Sequence, residues 1–383
     1  MQQPFDVLVV DDSIFMRKII SDFISQDPML RVVGTARNGK EAVEQVKKLQ
    51  PHAVTMDIEM PEMNGLEALR VIMKESPVAV IMLSSLTQEG ASETIKALEW
   101  GAVDFVGKPS GSISLDLHKV KTQLLEKLHI AVRMNVNKIG LQRPILPAER
   151  RQPELKPIPQ ARTTTAAAPS NPSPKAERRS VDRSQAGIGH LVAIGTSTGG
   201  PRALHQVLSE LPAELAAPVV IVQHMPPNFT RSLAQRLNSI SGLKVVEAEE
   251  GMPLENGTAY IAPGGSHMAV ARNGPGAYRI HLSKEEPRSG HRPSVDVLFE
   301  SLLPLKELKR HIVIMTGMGS DGAKGMLALK ESGAVTTIAE SEETCIVYGM
   351  PRAAVELKGV MHVLKQQEIA GKLISAIGLS ALS

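Results

Sequence analysis

A serine, a histidine and an aspartate stand at Ser197, His224 and Asp321, each at or just beyond the end of a short apolar run. The runs are Leu191–Ile194, Pro218–Gln223 and His311–Met315. A serine hydroxyl is a weak nucleophile, so it needs a base; the base needs a carboxylate to fix its tautomer and stabilise the imidazolium. Strand ends that share one rim can bring such side chains together, and the chemistry on offer is acyl transfer. The Gly-x-Ser-x-Gly pattern at 195–199 suits a sharp strand-to-helix turn that leaves the hydroxyl exposed. Alone, that glycine-rich turn could equally cradle phosphate on a helix N-terminus. The absence of Gly-x-Gly-x-x-Gly spacing and of a P-loop lysine counts against a nucleotide. The order Ser, His, Asp argues against the α/β-hydrolase fold, in which the acid precedes the histidine.

A second set lies upstream. Asp11-Asp12 follows one apolar run, Asp57 ends another, Ser84 ends a third, and Lys108-Pro109 follows a fourth. Gathered carboxylates repel one another and make a hard-oxygen site of the kind Mg²⁺ prefers. There Asp57 could attack a phosphoryl group in line, with the Lys108 cation and the Ser84 hydroxyl to receive its oxygens.

The elements that must position these residues follow from the patterning. Over 1–135 the spacing predicts strands at Asp6–Val10, Arg31–Thr35, Ala53–Asp57, Val78–Leu83 and Val103–Val106. Amphipathic segments such as Asn64–Lys74 fall between them, and Leu115–Met134 closes the unit as a helix. Over 189–383 strands are expected near 190–194, 218–223, 311–315 and 334–338, with helices near 201–210, 229–238, 322–331 and 352–357. A hairpin is expected from Met268–Ala271 and Tyr278–Leu282 around Asn273-Gly274. The expected class is α/β: two doubly wound domains with mainly parallel sheets, the second Rossmann-like with a small antiparallel hairpin.

Length and composition agree. At 383 residues two domains are the natural expectation. The formal charge of +3 lies largely in residues 143–187, which hold nine Lys/Arg, four Asp/Glu and eight prolines and no aromatic residue. Such a segment cannot bury a core, so 136–188 is expected to be a basic, Pro-rich linker and not a nucleic-acid arm. The single cysteine, Cys345, excludes an internal disulfide framework. With no apolar run near the roughly 18 residues of a membrane span, and no signal sequence before the first strand, a cytoplasmic location is expected.

Residues 1–135 resemble the response-regulator receiver family. The resemblance implies Asp57 as phosphoacceptor, Asp11, Asp12, Asp57 and the Glu59 carbonyl as Mg²⁺ ligands, and Ser84, Phe105 and Lys108 as switch positions; Phe105 could equally be core. Residues 189–383 resemble the catalytic domain of the chemotaxis protein-glutamate methylesterases, the CheB family. The carrying motifs are Ile194–Pro201, Gln223–Pro227, Ala262–Met268 and Met315–Gly322. That resemblance implies Ser197 as nucleophile, His224 as base then acid, Asp321 as orienter, and the amides of Thr198 and Met318 at the oxyanion. No cofactor is implied for the esterase. The implied partners are the cytoplasmic helices of a chemoreceptor as substrate and a chemotaxis histidine kinase as phosphodonor, without membrane insertion. The implied reaction is demethylation of glutamyl methyl esters and deamidation of selected glutamines. A same-family esterase acting on other receptors, or a receiver-controlled nucleotide-binding module, stay open as alternatives. A switch domain tethered to a hydrolase further suggests that the unphosphorylated receiver blocks the Ser197 rim. His267 and the stretch His291–Asp296 are expected to be structural or to line the substrate groove, with Arg292 a candidate for binding. His205, His281, His311 and His362 are expected to be structural.

Overall fold

The computed structural model describes residues 3–108, 114–134 and 187–378. Most of the expected linker, and Pro109, lie outside the described residues. Gly187 and Ile188, assigned to the linker above, belong to the second unit: the Ile188 amide donates to Gly276 O at 3.0 Å.

In the first unit β1 (Phe5–Val10), β2 (Leu30–Ala36), β3 (Ala53–Asp57), β4 (Ala79–Ser84) and β5 (Asp104–Gly107) form a parallel sheet in the order β2-β1-β3-β4-β5. Every residue of β3 and β4 is buried, which is why these strands read as continuous apolar runs without alternation. Five helices alternate with them: α1 (Ile14–Ser25), α2 (Gly39–Leu49), α3 (Gly65–Glu75), α4 (Gln88–Glu99) and α5 (Ser114–Ala131). Local chemistry sets their starts. The Asn64 side chain accepts from the Glu67 amide while Glu67 reaches back to the Asn64 amide, so α3 opens on a capping box. Parallel order with right-handed crossovers leaves the carboxyl ends of β1, β3, β4 and β5 on one rim.

The second unit has more strands than its sequence suggests. A seven-stranded parallel sheet runs β14 (His362–Leu364), β13 (Thr336–Glu340), β12 (Lys309–Ile314), β6 (His190–Thr196), β7 (Val219–Gln223), β9 (Thr258–Ile261), β8 (Lys244–Glu247). The four adjacent strands β13, β12, β6 and β7 carry the expected apolar runs. Strands β8, β9 and β14 went unanticipated because each has four residues or fewer, too short for a period to show. The hairpin β10 (His267–Arg272) and β11 (Tyr278–Ser283) forms the expected antiparallel excursion. Helices α6 (Gly200–Glu210), α7 (Phe229–Asn238), α8 (Val295–Ser301), α9 (Ala323–Glu331), α10 (Met350–Glu356) and α11 (Gln366–Ile377) complete the unit. The chain leaves β6 toward β7 on one side and β12 toward β13 on the other. This reversal opens a crevice beyond the ends of β6 and β12, where a doubly wound sheet binds ligands.

The two units touch through α4, which packs against α6 and α7. At the same interface Phe105 lies flat on Phe229, with ring centroids 4.6 Å apart. The buried apolar network that includes this pair runs from one unit into the other.

Candidate functional site

Ser197 follows β6 directly and His224 follows β7, and the His224 amide donates to Thr196 O at 3.1 Å, so the two residues sit on adjacent strand ends. The loop after β12 closes the third side: the Ser197 amide donates to Thr316 O at 3.0 Å. Gly317 passes so close that a β-carbon there would lie 2.7 Å from Ser197 Cβ. Only glycine lets this loop reach the nucleophile. The turn out of β6 needs a second glycine, Gly199, at φ +81° to open α6.

Asp321 is nearly buried and its carboxylate grips His224: Nε2 lies 2.9 Å from Oδ2. Although Asp321 comes just before α9, it does not cap that helix. Its oxygens instead accept the amides of Val295 (2.7 Å) and Asp296 (3.0 Å) and the Ser294 hydroxyl (2.8 Å), at the start of α8. Burial opposes ionisation of Asp321, but the His224 contact and these two amides outweigh it and bring the pKa to about 2. An ionised Asp321 makes Nε2 the protonated nitrogen, which leaves Nδ1 as the basic one. Nδ1 is buried and without a hydrogen-bond partner, and no bond joins it to the Ser197 hydroxyl here. Catalytic hydrogen bonds are often long without substrate and tighten in the reacting complex.

His291 lies face to face on His224, ring centroids 3.8 Å apart and planes 9° from parallel. Burial and the neighbouring His224 push its pKa down to about 4, so it stays neutral and covers one face of the ring without competing for its proton. Arg292, the sequence candidate for binding, donates to the carbonyls of Lys284 and Glu285 and braces that segment. His267 is buried, and its Nδ1 accepts the Ser294 amide. His311 is buried beside His190, with which it stacks. The grip of Ser294, Val295 and Asp296 on Asp321, and the stack on His224, left no mark in the sequence beyond lying in a stretch already suspected.

At the other rim, Asp11, Asp12 and Asp57 bring one carboxylate oxygen each within 4.8 Å of one another. The Lys108 ammonium lies 3.0 Å from Asp11 Oδ2 and 2.7 Å from Asp57 Oδ2. Burial pushes the Asp57 carboxyl up to about 6, against the pull of Lys108. Three hard carboxylates that share so small a space fit a divalent cation such as Mg²⁺. Glu59 is exposed, its side chain accepting from the Ser85 hydroxyl. The Ser84 hydroxyl is tied to α4: it donates to Gly90 O and accepts from Thr94.

The interface joins the rims. Asp104, one residue before Phe105, accepts from the Thr198 hydroxyl at 2.5 Å, and Thr198 follows the serine. Lys127 of α5 holds the other Asp104 oxygen at 2.8 Å. Sequence reasoning missed Asp104, which carries no motif. Met318 is 37% exposed and borders a cleft of about 840 Å³ between α5 and residues 342–352.

Residues 192–373 match the CheB methylesterase family and residues 7–118 the response regulator receiver domain. A protein-glutamate methylesterase/protein-glutamine glutaminase of Geobacillus kaustophilus is 52% identical over 97% of this chain and 98% of its own length. The chain belongs to the CheB methylesterase family. The Bacillus subtilis protein of the same description is 46% identical over 97% of this chain and 98% of its own. The crystal structure of the Thermotoga maritima CheB methylesterase catalytic domain is 44% identical and covers 49% of this chain and 98% of that one, with a TM-score of 0.47. Among the described residues no helix is long and apolar enough to cross a membrane.

Proposed function

We propose that this chain is a phosphorylation-controlled serine hydrolase of cytoplasmic chemoreceptor helices, releasing methanol from glutamyl methyl esters and ammonia from selected glutamines. Ser197 is the nucleophile, and His224 Nδ1 takes its proton as the hydroxyl attacks the ester carbonyl. The amides of Thr198 and Met318 receive the oxyanion, a contribution that elsewhere amounts to several kcal/mol. The imidazolium, steadied by ionised Asp321, returns its proton to the leaving methanol. Water then attacks the acyl-serine, His224 again taking a proton, and glutamate leaves with Ser197 restored. Ammonia replaces methanol when the substrate is a glutamine.

The observation that carries this reading is the Asp321–His224 pair at 2.9 Å, beside Ser197, with the second ring nitrogen buried and free. In the receiver, Asp11, Asp12, Asp57 and the Glu59 carbonyl would hold Mg²⁺, which when bound neutralises the charge of an incoming phosphoryl group. Asp57 accepts that group from a histidine kinase, and Lys108 holds its oxygens. To reach the phosphoryl group, Ser84 leaves Gly90 and Thr94, loosening the α4–Phe105 side that lies on the esterase. The population then moves to an undocked, active form.

Methanol release from methylated receptor tests this with wild type, Ser197→Ala and Asp57→Asn, with and without a small phosphodonor. Ser197→Ala is expected to lose at least ~10⁴-fold. Asp57→Asn should keep a low turnover that the donor does not raise. Full turnover by the Ser197 variant ends the reading.

A further inference from the structure

Glu340 ends β13, is fully buried, and has no part in the chemistry above. Its Oε2 accepts the Thr316 amide at 2.9 Å, and its Oε1 accepts the Thr344 hydroxyl at 3.0 Å. Thr316 is the hinge of the crevice. Its carbonyl receives the Ser197 amide, and its hydroxyl donates to Thr198 O at 2.9 Å. The same hydroxyl accepts the Val347 amide at 2.9 Å, while the Gly317 amide donates to Val347 O. One peptide therefore sets the nucleophile, the residue after it and the start of the loop that carries Met318.

We propose that Glu340 is a positioning residue: its carboxyl anchors Thr316 and so holds the Thr198 and Met318 amides at the separation the oxyanion requires. The inference rests on the hydrolase reading and extends it to a residue that touches no substrate. A carboxyl is suited to this place because it can tie Thr316 in one strand loop to Thr344 in the next. Burial pushes its pKa up to about 7, and no lysine or arginine pairs with it among the described residues. Neutral, it still accepts the Thr316 amide, and the bond to Thr344 reverses, its O–H donating to the hydroxyl that donates to the ionised carboxylate. A glutamine copies that pattern, whereas a leucine of similar size leaves the Thr316 amide without a partner.

The full chain, activated by a small phosphodonor, is assayed for kcat and KM on methylated receptor with Glu340→Gln and Glu340→Leu. The Gln variant should keep kcat within about 2-fold. The Leu variant should lose about 10- to 100-fold in kcat, with KM within about 2-fold, because misplaced oxyanion donors cost the transition state and not substrate binding. A folded Leu variant with wild-type kcat, a loss appearing in KM, or a Gln variant as poor as Leu overturns the proposal. If Glu340→Leu does not fold, Thr344→Val, which removes the second partner, decides: a several-fold fall in kcat supports the anchor, and none refutes it. Fluorophosphonate labelling of Ser197 separates this from the functional reading, because it places an oxygen at the same amides without receptor. Slow labelling of the Leu or Val variant supports the anchor even if wild type releases no methanol, and unchanged labelling refutes it.

Discussion

The two rims use the same place in the same kind of sheet and set their carboxylates in opposite ways. At the receiver rim, burial and crowding dominate, and Asp57 is pushed up to about 6 although Lys108 lies 2.7 Å away. At the esterase rim, Asp321 is as buried, yet two backbone amides, a hydroxyl and His224 converge on it and bring it to about 2. The first arrangement is short of positive charge and calls for a cation when a phosphoryl group arrives. The second is complete within the protein and needs only to keep one imidazole oriented. The lesson is that donors supplied by neighbouring elements decide which chemistry a strand end supports, and topology supplies only the meeting place.

This contrast can be broken most directly at Asp321. Asp321→Asn should lower kcat by about 10⁴-fold, since an amide no longer dictates which ring nitrogen is protonated. The same variant tests the electrostatics. A carboxylate whose pKa is depressed in the fold stabilises it above the unfolded pKa, near 4, and that stabilisation disappears as pH falls toward 2. The Tm of wild type should therefore fall more steeply from pH 4 to pH 2 than that of Asp321→Asn; parallel curves would mean that the α8 amides do not hold an ionised group.

A smaller effect is expected where the rims communicate. Asp104→Ala removes the receiver's hold on the Thr198 hydroxyl, and unstimulated methanol release should rise about 5-fold, with correspondingly less further gain from a phosphodonor. Unchanged basal turnover would move the blockade elsewhere in the interface. Smallest of all is Arg236→Ala. Its 2.6 Å ion pair with Glu99 also crosses the interface but is partly exposed, so basal turnover should change by about 2-fold or less.

Much of this was legible beforehand because buried parallel strands announce themselves as apolar runs, and the polar side chains gathered on the two rims stand where those runs stop. Asp11, Asp57, Ser84, Lys108, Ser197 and His224 were found in this way. Strands β8, β9 and β14 escaped because so few residues carry no period. Asp321 was located through its glycine-rich loop and expected, from the family resemblance, to orient His224; that its carboxylate also rests on the amides at the start of α8 could not be read in advance. Asp104 and Glu340 were invisible, since neither belongs to a motif and their partners, Thr198 and Thr316, lie on other elements.

The sequence by itself determined two α/β units and the strand ends that carry polar side chains. These follow from local rules: burial imposes apolar runs, and tight turns demand glycine. Only the tertiary structure decided that Asp321 rests on the start of α8 and leaves His224 Nδ1 free, that His291 covers that ring, and that Asp104 reaches Thr198 from the other unit. Each of these contacts joins residues far apart along the chain, and their existence depends on how whole elements pack, a property no short window of sequence contains.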